Sequence, residues 1–179
     1  STESVSMMLQ ENGFSAIAYH AGLSREEREG NQNLFVRDEV KIVVATIAFG
    51  MGIDKSNVRF VVHLDLPKNI EGYYQETGRA GRDGLQSQAL LFFSRADAMQ
   101  LQKFIEIEGN SQQTELMLQK LNEMVRFAES SMCRRKYLLN YFNEEHAGNC
   151  GSCDNCLADY SYFDGTVYAQ MALSAVSRL

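Results

Sequence analysis

Proline is nearly absent from this chain, with one residue in 179, and no low-complexity tract occurs; both facts argue against disorder. No stretch reaches the roughly 20 consecutive apolar residues that span a bilayer, so no membrane partner is expected. The opening STESVSMMLQENG has neither the basic start nor the apolar run of a signal peptide. A reducing, intracellular setting is therefore expected. A positive surplus is also missing. Seventeen basic against twenty-three acidic residues give a net charge of −6. That excludes a protein that wraps nucleic acid over its whole surface. It leaves room for a local basic site, because salt confines each patch to about a Debye length. What is present is a 45% hydrophobic content, enough for a packed core. Four cysteines are also present, and in a reducing setting they point to metal before disulfide.

The first half alternates helical and strand patterns. ESVSMMLQENG has Val5, Met8 and Leu9 at helical spacing and a closing Gly13. FSAIAY reads as a short strand. SREE, Ser24 to Glu27, has the capping-box form, and a helix is expected to about Arg37. VKIVVAT, VRFVVHLD and SQALLFF are apolar, β-rich runs of the kind found in parallel strands covered on both faces. Pro67 is expected to open a helix through NIEGYYQET, and Ser94 with Asp97 to open another. This β-α order implies an α/β fold with right-handed crossovers. Ligands on such sheets sit beyond the carboxyl ends of the strands, and the loops after VVAT and around Arg79 are expected on that edge. From about residue 94 the pattern is helical. Leu118, Leu121, Met124, Val125 and Ala128 form a stripe that is most simply helix packing. CRRKYLLNYFNE reads as a further helix, and the last segment begins a helical pattern and stops.

Cys133, Cys150, Cys153 and Cys156 give the spacing C-x16-C-x2-C-x2-C. Four thiolates suffice for a closed tetrahedral zinc site, which is structural because no position is left for substrate. Gly148 and Gly151 supply flexibility, and Asp154 and Asn155 stand where turn residues belong. An iron–sulfur cluster is the rival, since C-x2-C-x2-C is part of a ferredoxin run. The long gap to Cys133 and the missing C-x3-C-P ending favour zinc. His146 is an alternative fourth ligand, its default being an exposed loop histidine.

YYQETGRAGRDG, Tyr73 to Gly84, sets Arg79 and Arg82 three apart among three glycines. Glycine costs roughly 1 kcal/mol against alanine in a helix. Its repetition here means that the backbone turns or approaches something closely. Two forked cations beside bare backbone suit a phosphate chain, the alternative being surface salt bridges. TIAFGMGIDKSN follows a buried strand and offers the Thr46 hydroxyl, two glycines and Asp54.

Together, VVATIAFGMGIDKSNVRFVVHLDLP and YYQETGRAGRDG resemble motifs V and VI of superfamily 2 helicases. YHAGL, QETGRAGRDG and the cysteine cluster together resemble the RecQ family of DNA helicases, over essentially the whole chain. The resemblance implies a partial RecA-like parallel sheet with flanking helices over residues 1–93. A small helical zinc-binding domain over 94–159 and the start of a winged helix over 160–179 would follow. It implies Arg82 as the arginine finger on the γ-phosphate of ATP with Mg2+. Arg79 is its companion, and Gln75 and Asp54 organise the nucleotide cleft. It implies Thr46, His20 and Gly22 on the backbone of single-stranded DNA, with His20 equally readable as a packing residue. Arg134, Arg135 and Lys136 are readable as a stripe for duplex DNA or as a solvated helix face.

The sequence departs from that family by absence. There is no G-x-x-x-x-G-K-[ST] loop and no acidic Walker-B motif. The chain is therefore expected to be part of a 3′-to-5′ DNA helicase of bacterial type, cytoplasmic and nucleoid-associated, acting in repair and recombination. The first RecA-like lobe and DNA, single-stranded or at duplex junctions, are its expected partners, and the isolated part is expected to be inactive. The competing reading is a zinc-stabilised DNA-binding or interaction module without motor activity.

Overall fold

The computed structural model describes residues 1–46, 55–108, 111–159 and 163–177. The chain divides into two compact units, Ser1–Ala128 and Glu129–Leu179.

The first unit opens with α1 (Thr2–Glu11), β1 (Ala16–Tyr19), α2 (Arg25–Val36) and β2 (Ile42–Ala45). Ser24 caps α2 reciprocally: its hydroxyl accepts from the Glu27 amide at 3.2 Å, and the Glu27 carboxylate accepts from the Ser24 amide at 2.8 Å. This satisfies two amides that a helix start leaves without partners. Strands β1 and β2 pair in parallel, from Ala16 opposite Ile42 to Tyr19 opposite Ala45. The unit continues with β3 (Phe60–His63), α3 (Ile70–Thr77), β4 (Gln88–Leu91), α4 (Arg95–Glu108) and α5 (Ser111–Glu129). Strands β3 and β4 also pair in parallel, from Phe60 opposite Gln88 to His63 opposite Leu91. The described strands thus form two two-stranded ladders, both reached through helical crossovers.

Helix α3 starts later than its proline suggests. Asn69 is the cap, its side-chain oxygen accepting from the Gly72 amide at 2.7 Å, and Pro67 lies in the approach. Around α3 sits the core. Ile70 and Met124 are fully buried, and Leu66, Tyr73, Ile105, Leu121 and Phe127 are nearly so. The rings of Tyr73 and Phe127 lie 5.2 Å apart, and those of His63 and Tyr73 5.1 Å apart. The α5 stripe therefore faces inward as its spacing predicts, with Phe127 added to it.

The expectation of strands covered on both faces fails for β3 and β4. Phe60 and Val62 alternate along β3 with Leu64 just beyond it, Leu90 lies in β4 with Phe92 just beyond it, and all five are exposed. Side chains of a strand point alternately to its two faces. The face that carries His63 meets Tyr73 of α3, whereas the opposite face has no covering layer among the described residues.

The second unit contains α6 (Arg134–Tyr141), α7 (Asp154–Leu157) and α8 (Thr166–Val176). Cys133 is the residue before α6 and Cys153 the residue before α7. No described helix is long and apolar enough to cross a membrane.

Candidate metal centre and arginine turn

The sulfurs of Cys133, Cys150, Cys153 and Cys156 all lie within 4.8 Å of one another. For bonds of about 2.3 Å, a tetrahedral zinc site has sulfur–sulfur edges of roughly 3.8 Å. The Cys150 and Cys156 sulfurs are 4.0 Å apart, so the set fits such an ion. Gly151, between the first two ligands of the triplet, has φ +66, a left-handed turn that redirects the chain toward Cys153. His146 is not a member of the set; its Nδ1 accepts from the Gly148 amide at 3.1 Å.

Polar groups surround the sulfurs. The Ser152 hydroxyl donates to Cys150 Sγ at 3.4 Å, and the Arg134 amide to Cys153 Sγ at 3.5 Å. The Ser152 hydrogen bond is the main reason that the Cys150 thiol titrates low, at about 5. Burial opposes ionisation of Cys133, yet amides of Lys136 and Cys150 outweigh it and hold that thiol below its ordinary value. Burial, with the neighbouring thiols of Cys153 and Cys133, pushes Cys156 up to about 12. The Arg134 guanidinium grips the Asp154 carboxylate with Nε at 3.0 Å and Nη2 at 2.9 Å, which depresses that carboxyl. Arg134 is thus engaged within the metal region, while Arg135 beside it is exposed.

Arg79 and Arg82 lie in the turn that follows α3. The Arg79 amide donates to the Glu76 carbonyl at 3.3 Å, and Arg82 Nε to the Gly78 carbonyl at 3.3 Å. Gly81 answers why glycine recurs here. Its φ is +70, and an added Cβ would stand 2.6 Å from Ser87 Oγ and 3.0 Å from the Leu85 carbonyl. The turn is sewn to the chain entering β3. The Gly81 amide donates to the Val58 carbonyl at 2.9 Å and the Asp83 amide to the Ser56 carbonyl at 3.3 Å. Arg59 pairs with Asp83 and also donates to the Asn57 and Gln86 carbonyls. That guanidinium holds the Asp83 carboxyl below the usual carboxylate range.

This location corrects the expected edge. A crossover carries the chain from the carboxyl end of one strand to the amino end of the next. The arginine turn lies between α3 and β4, so it sits at the amino end of the β3–β4 ladder, against residues 56–58.

Lys55 extends the same network. It is buried, pairs with Asp38 at 2.9 Å and lies 5.1 Å from the Phe35 ring centroid. Asp38 has φ +62 and also accepts from Asn57 at 3.3 Å. Its carboxyl is held low chiefly by Lys55. At the strand's other end, His63 Nε2 lies 2.6 Å from the Glu76 carboxylate. Gln75 is exposed on α3 beside it. Asp54, Gly50 and Gly52 lie outside the described residues.

The suggested DNA contacts meet at the carboxyl end of β1 and β2. The Thr46 amide donates to the Tyr19 carbonyl at 3.1 Å, which brings Thr46 beside His20. His20 Nδ1 accepts from the Gly22 amide at 3.2 Å, so its Nε2 carries the proton and faces Glu3 at 3.2 Å. The three residues do come together, with His20 organising the turn.

Residues 95–157 match the family model described as RecQ zinc-binding. Residues 1–84 match the helicase conserved C-terminal domain. The ATP-dependent DNA helicase RecQ of Pasteurella multocida is 51% identical over 177 residues, covering 99% of this chain and 28% of that protein. The chain belongs to the RecQ helicase family. The RecQ helicase of Bacillus subtilis is 44% identical over 96% of this chain and 29% of its own length. Among solved structures, a DEAD box protein from Methanococcus jannaschii aligns at 32% identity and a TM-score of 0.49, covering 59% of this chain and 29% of that one. The chain spans less than a third of the length of the RecQ relatives it matches. The zinc-binding match and the four gathered sulfurs agree on a RecQ-type structural zinc site.

Sequence reading missed Arg59, Asp38 and Lys55. Asp83 was visible inside the motif, but its partner stands 24 residues away in sequence, and no local pattern announces the pair.

Proposed function

We propose that this chain supplies the second motor lobe and the zinc-binding region of an ATP-dependent, 3′-to-5′ DNA helicase acting in repair and recombination. The observation that carries the reading is the arginine turn, held to the segment entering β3 by backbone bonds to Val58 and Ser56 and by the Arg59–Asp83 pair. A turn so restrained presents two cations with little freedom left to lose on meeting phosphate. Arg82 supplies positive charge where it develops on the γ-phosphate, and Arg79 assists at the nucleotide. Gln75 and Asp54 complete the cleft, and ATP with Mg2+ brings the phosphoryl group that is transferred. Thr46, His20 and Gly22 meet the backbone of single-stranded DNA, where hydroxyls and amides suit contact that ignores sequence. The partner in catalysis is a first RecA-like lobe with a phosphate loop. By sequence, the motor part is 1–93, the zinc-binding part 94–159 and the start of a winged helix 160–179. Zinc holds Cys133, Cys150, Cys153 and Cys156 together and takes no part in hydrolysis. A cytoplasmic, nucleoid-associated location in a bacterium follows from the same reading.

The test joins this chain to a lobe that carries a phosphate loop and measures DNA-stimulated ATP hydrolysis. Arg82→Ala is expected to lower the rate by about 10³–10⁵. An unchanged rate overturns the arginine-finger role. Binding of DNA without any stimulated hydrolysis favours the module without motor activity.

A further inference from the structure

We propose that Asn155 is a positioning residue of the metal centre, clamping the turn that delivers Cys133. Its side-chain amide donates to the Ser130 carbonyl at 2.8 Å and the Met132 carbonyl at 2.7 Å. Both neighbours are carbonyl oxygens, so only the amide nitrogen, with its two N–H groups, can face them. The adjacent Asp154 holds Arg134, the residue after Cys133. The two residues between Cys153 and Cys156 therefore grip the two residues that flank Cys133. Cys133 is separated from the triplet by sixteen residues, so its sulfur depends most on such a restraint. Side chains that orient metal ligands typically contribute 10–100-fold in metal affinity. The inference rests on the zinc reading above and goes beyond it: the four thiolates alone do not define the site's affinity.

The experiment titrates the reduced chain with zinc against a competing chelator, and with cobalt(II) followed by absorption. Asn155→Ala and Asn155→Asp are expected to weaken zinc about 10–100-fold. Asn155→Gln, which keeps both donors, is expected to recover most of that loss. The saturated cobalt spectrum is expected to keep its four-thiolate intensity in every variant, which separates positioning from loss of a ligand. Zinc affinity of Asn155→Ala within about twofold of the unchanged chain overturns the proposal. So does equal affinity for Asn155→Asp and Asn155→Gln, a comparison that remains decisive if the alanine variant does not fold. An unchanged chain that takes up no zinc sinks the metal reading and this inference together. Tight zinc in the unchanged chain with no loss in the variants sinks the inference alone.

Discussion

The two units of the chain are held together by different physics. Residues 1–128 contain nine of the ten buried apolar residues among those described, centred on Ile70, Tyr73, Leu121, Met124 and Phe127. Residues 129–179 contain one, and it is Cys133. A region that short cannot build a sufficient apolar core and needs a staple. Its staple is the four-sulfur set, with the Arg134–Asp154 pair and the Asn155 clamp around it. One unit therefore draws its stability from apolar surface removed from water, the other from ligation. The first unit has reason to be built the first way, because the Arg79–Arg82 turn is anchored to a strand whose inner face rests on that core.

The largest expected effect comes from breaking the second arrangement. Stripping zinc with a chelator removes a contribution on the order of 10 kcal/mol in small zinc modules. Amide hydrogen exchange is the measurement. Protection across residues 130–157 is expected to collapse, while α3 in the first unit keeps its protection. Persistent protection around Cys133 after chelation would show that contacts other than metal hold the region. The next effect is smaller and falls on the other unit. Met124→Ala deletes a fully buried side chain and is expected to cost about 2–5 kcal/mol. Chemical unfolding of the first unit, followed with zinc present and absent, reads that cost. If it changes with zinc, the two units are not independently held.

Sequence patterns announced features whose partners are close along the chain. The Ser24–Glu27 cap, the helical stripe of α5 and the C-x2-C-x2-C triplet each span seven residues or fewer between partners, or repeat at a helical period. Local chemistry defines them. The motif wording of the arginine turn was equally legible. What brings the turn to its place was not: Arg59 meets Asp83, and Lys55 meets Asp38, across 24 and 17 residues. His20 had two open readings because its partner Glu3 lies on a helix 17 residues earlier. The apolar pattern of β3 and β4 announced the strands, but among the described residues the cover expected on both faces is present on one only. It carried no information on where the cover comes from, and here Phe60, Val62, Leu64, Leu90 and Phe92 remain exposed. The position of Asn155 announces a turn residue, but its grip on Ser130 and Met132 depends on tertiary closure.

The smallest expected effect sharpens the comparison within the first unit, where polar restraint is added to the core. The Asp83 carboxyl is held below its ordinary value, first by its hydrogen bond to Arg59 and further by the Leu85 amide and the charge of Arg59. A carboxyl lowered on folding contributes stability that is complete above its unfolded value, near 4, and is lost as pH falls through the folded value. The first unit is therefore expected to lose part of its stability on acidification below about pH 4. Asp83→Asn keeps the shape of the side chain and removes the charge, so the acid dependence of that variant is expected to be flatter. Asp38 titrates in the same direction through Lys55, so a slope remains in the variant, and only the difference between the two curves belongs to Asp83. Identical curves would mean that Arg59 restrains the turn through the Asn57 and Gln86 carbonyls alone. The arginine turn would then owe its position to backbone contacts, from Gly81 to Val58 and from Asp83 to Ser56, and not to charge.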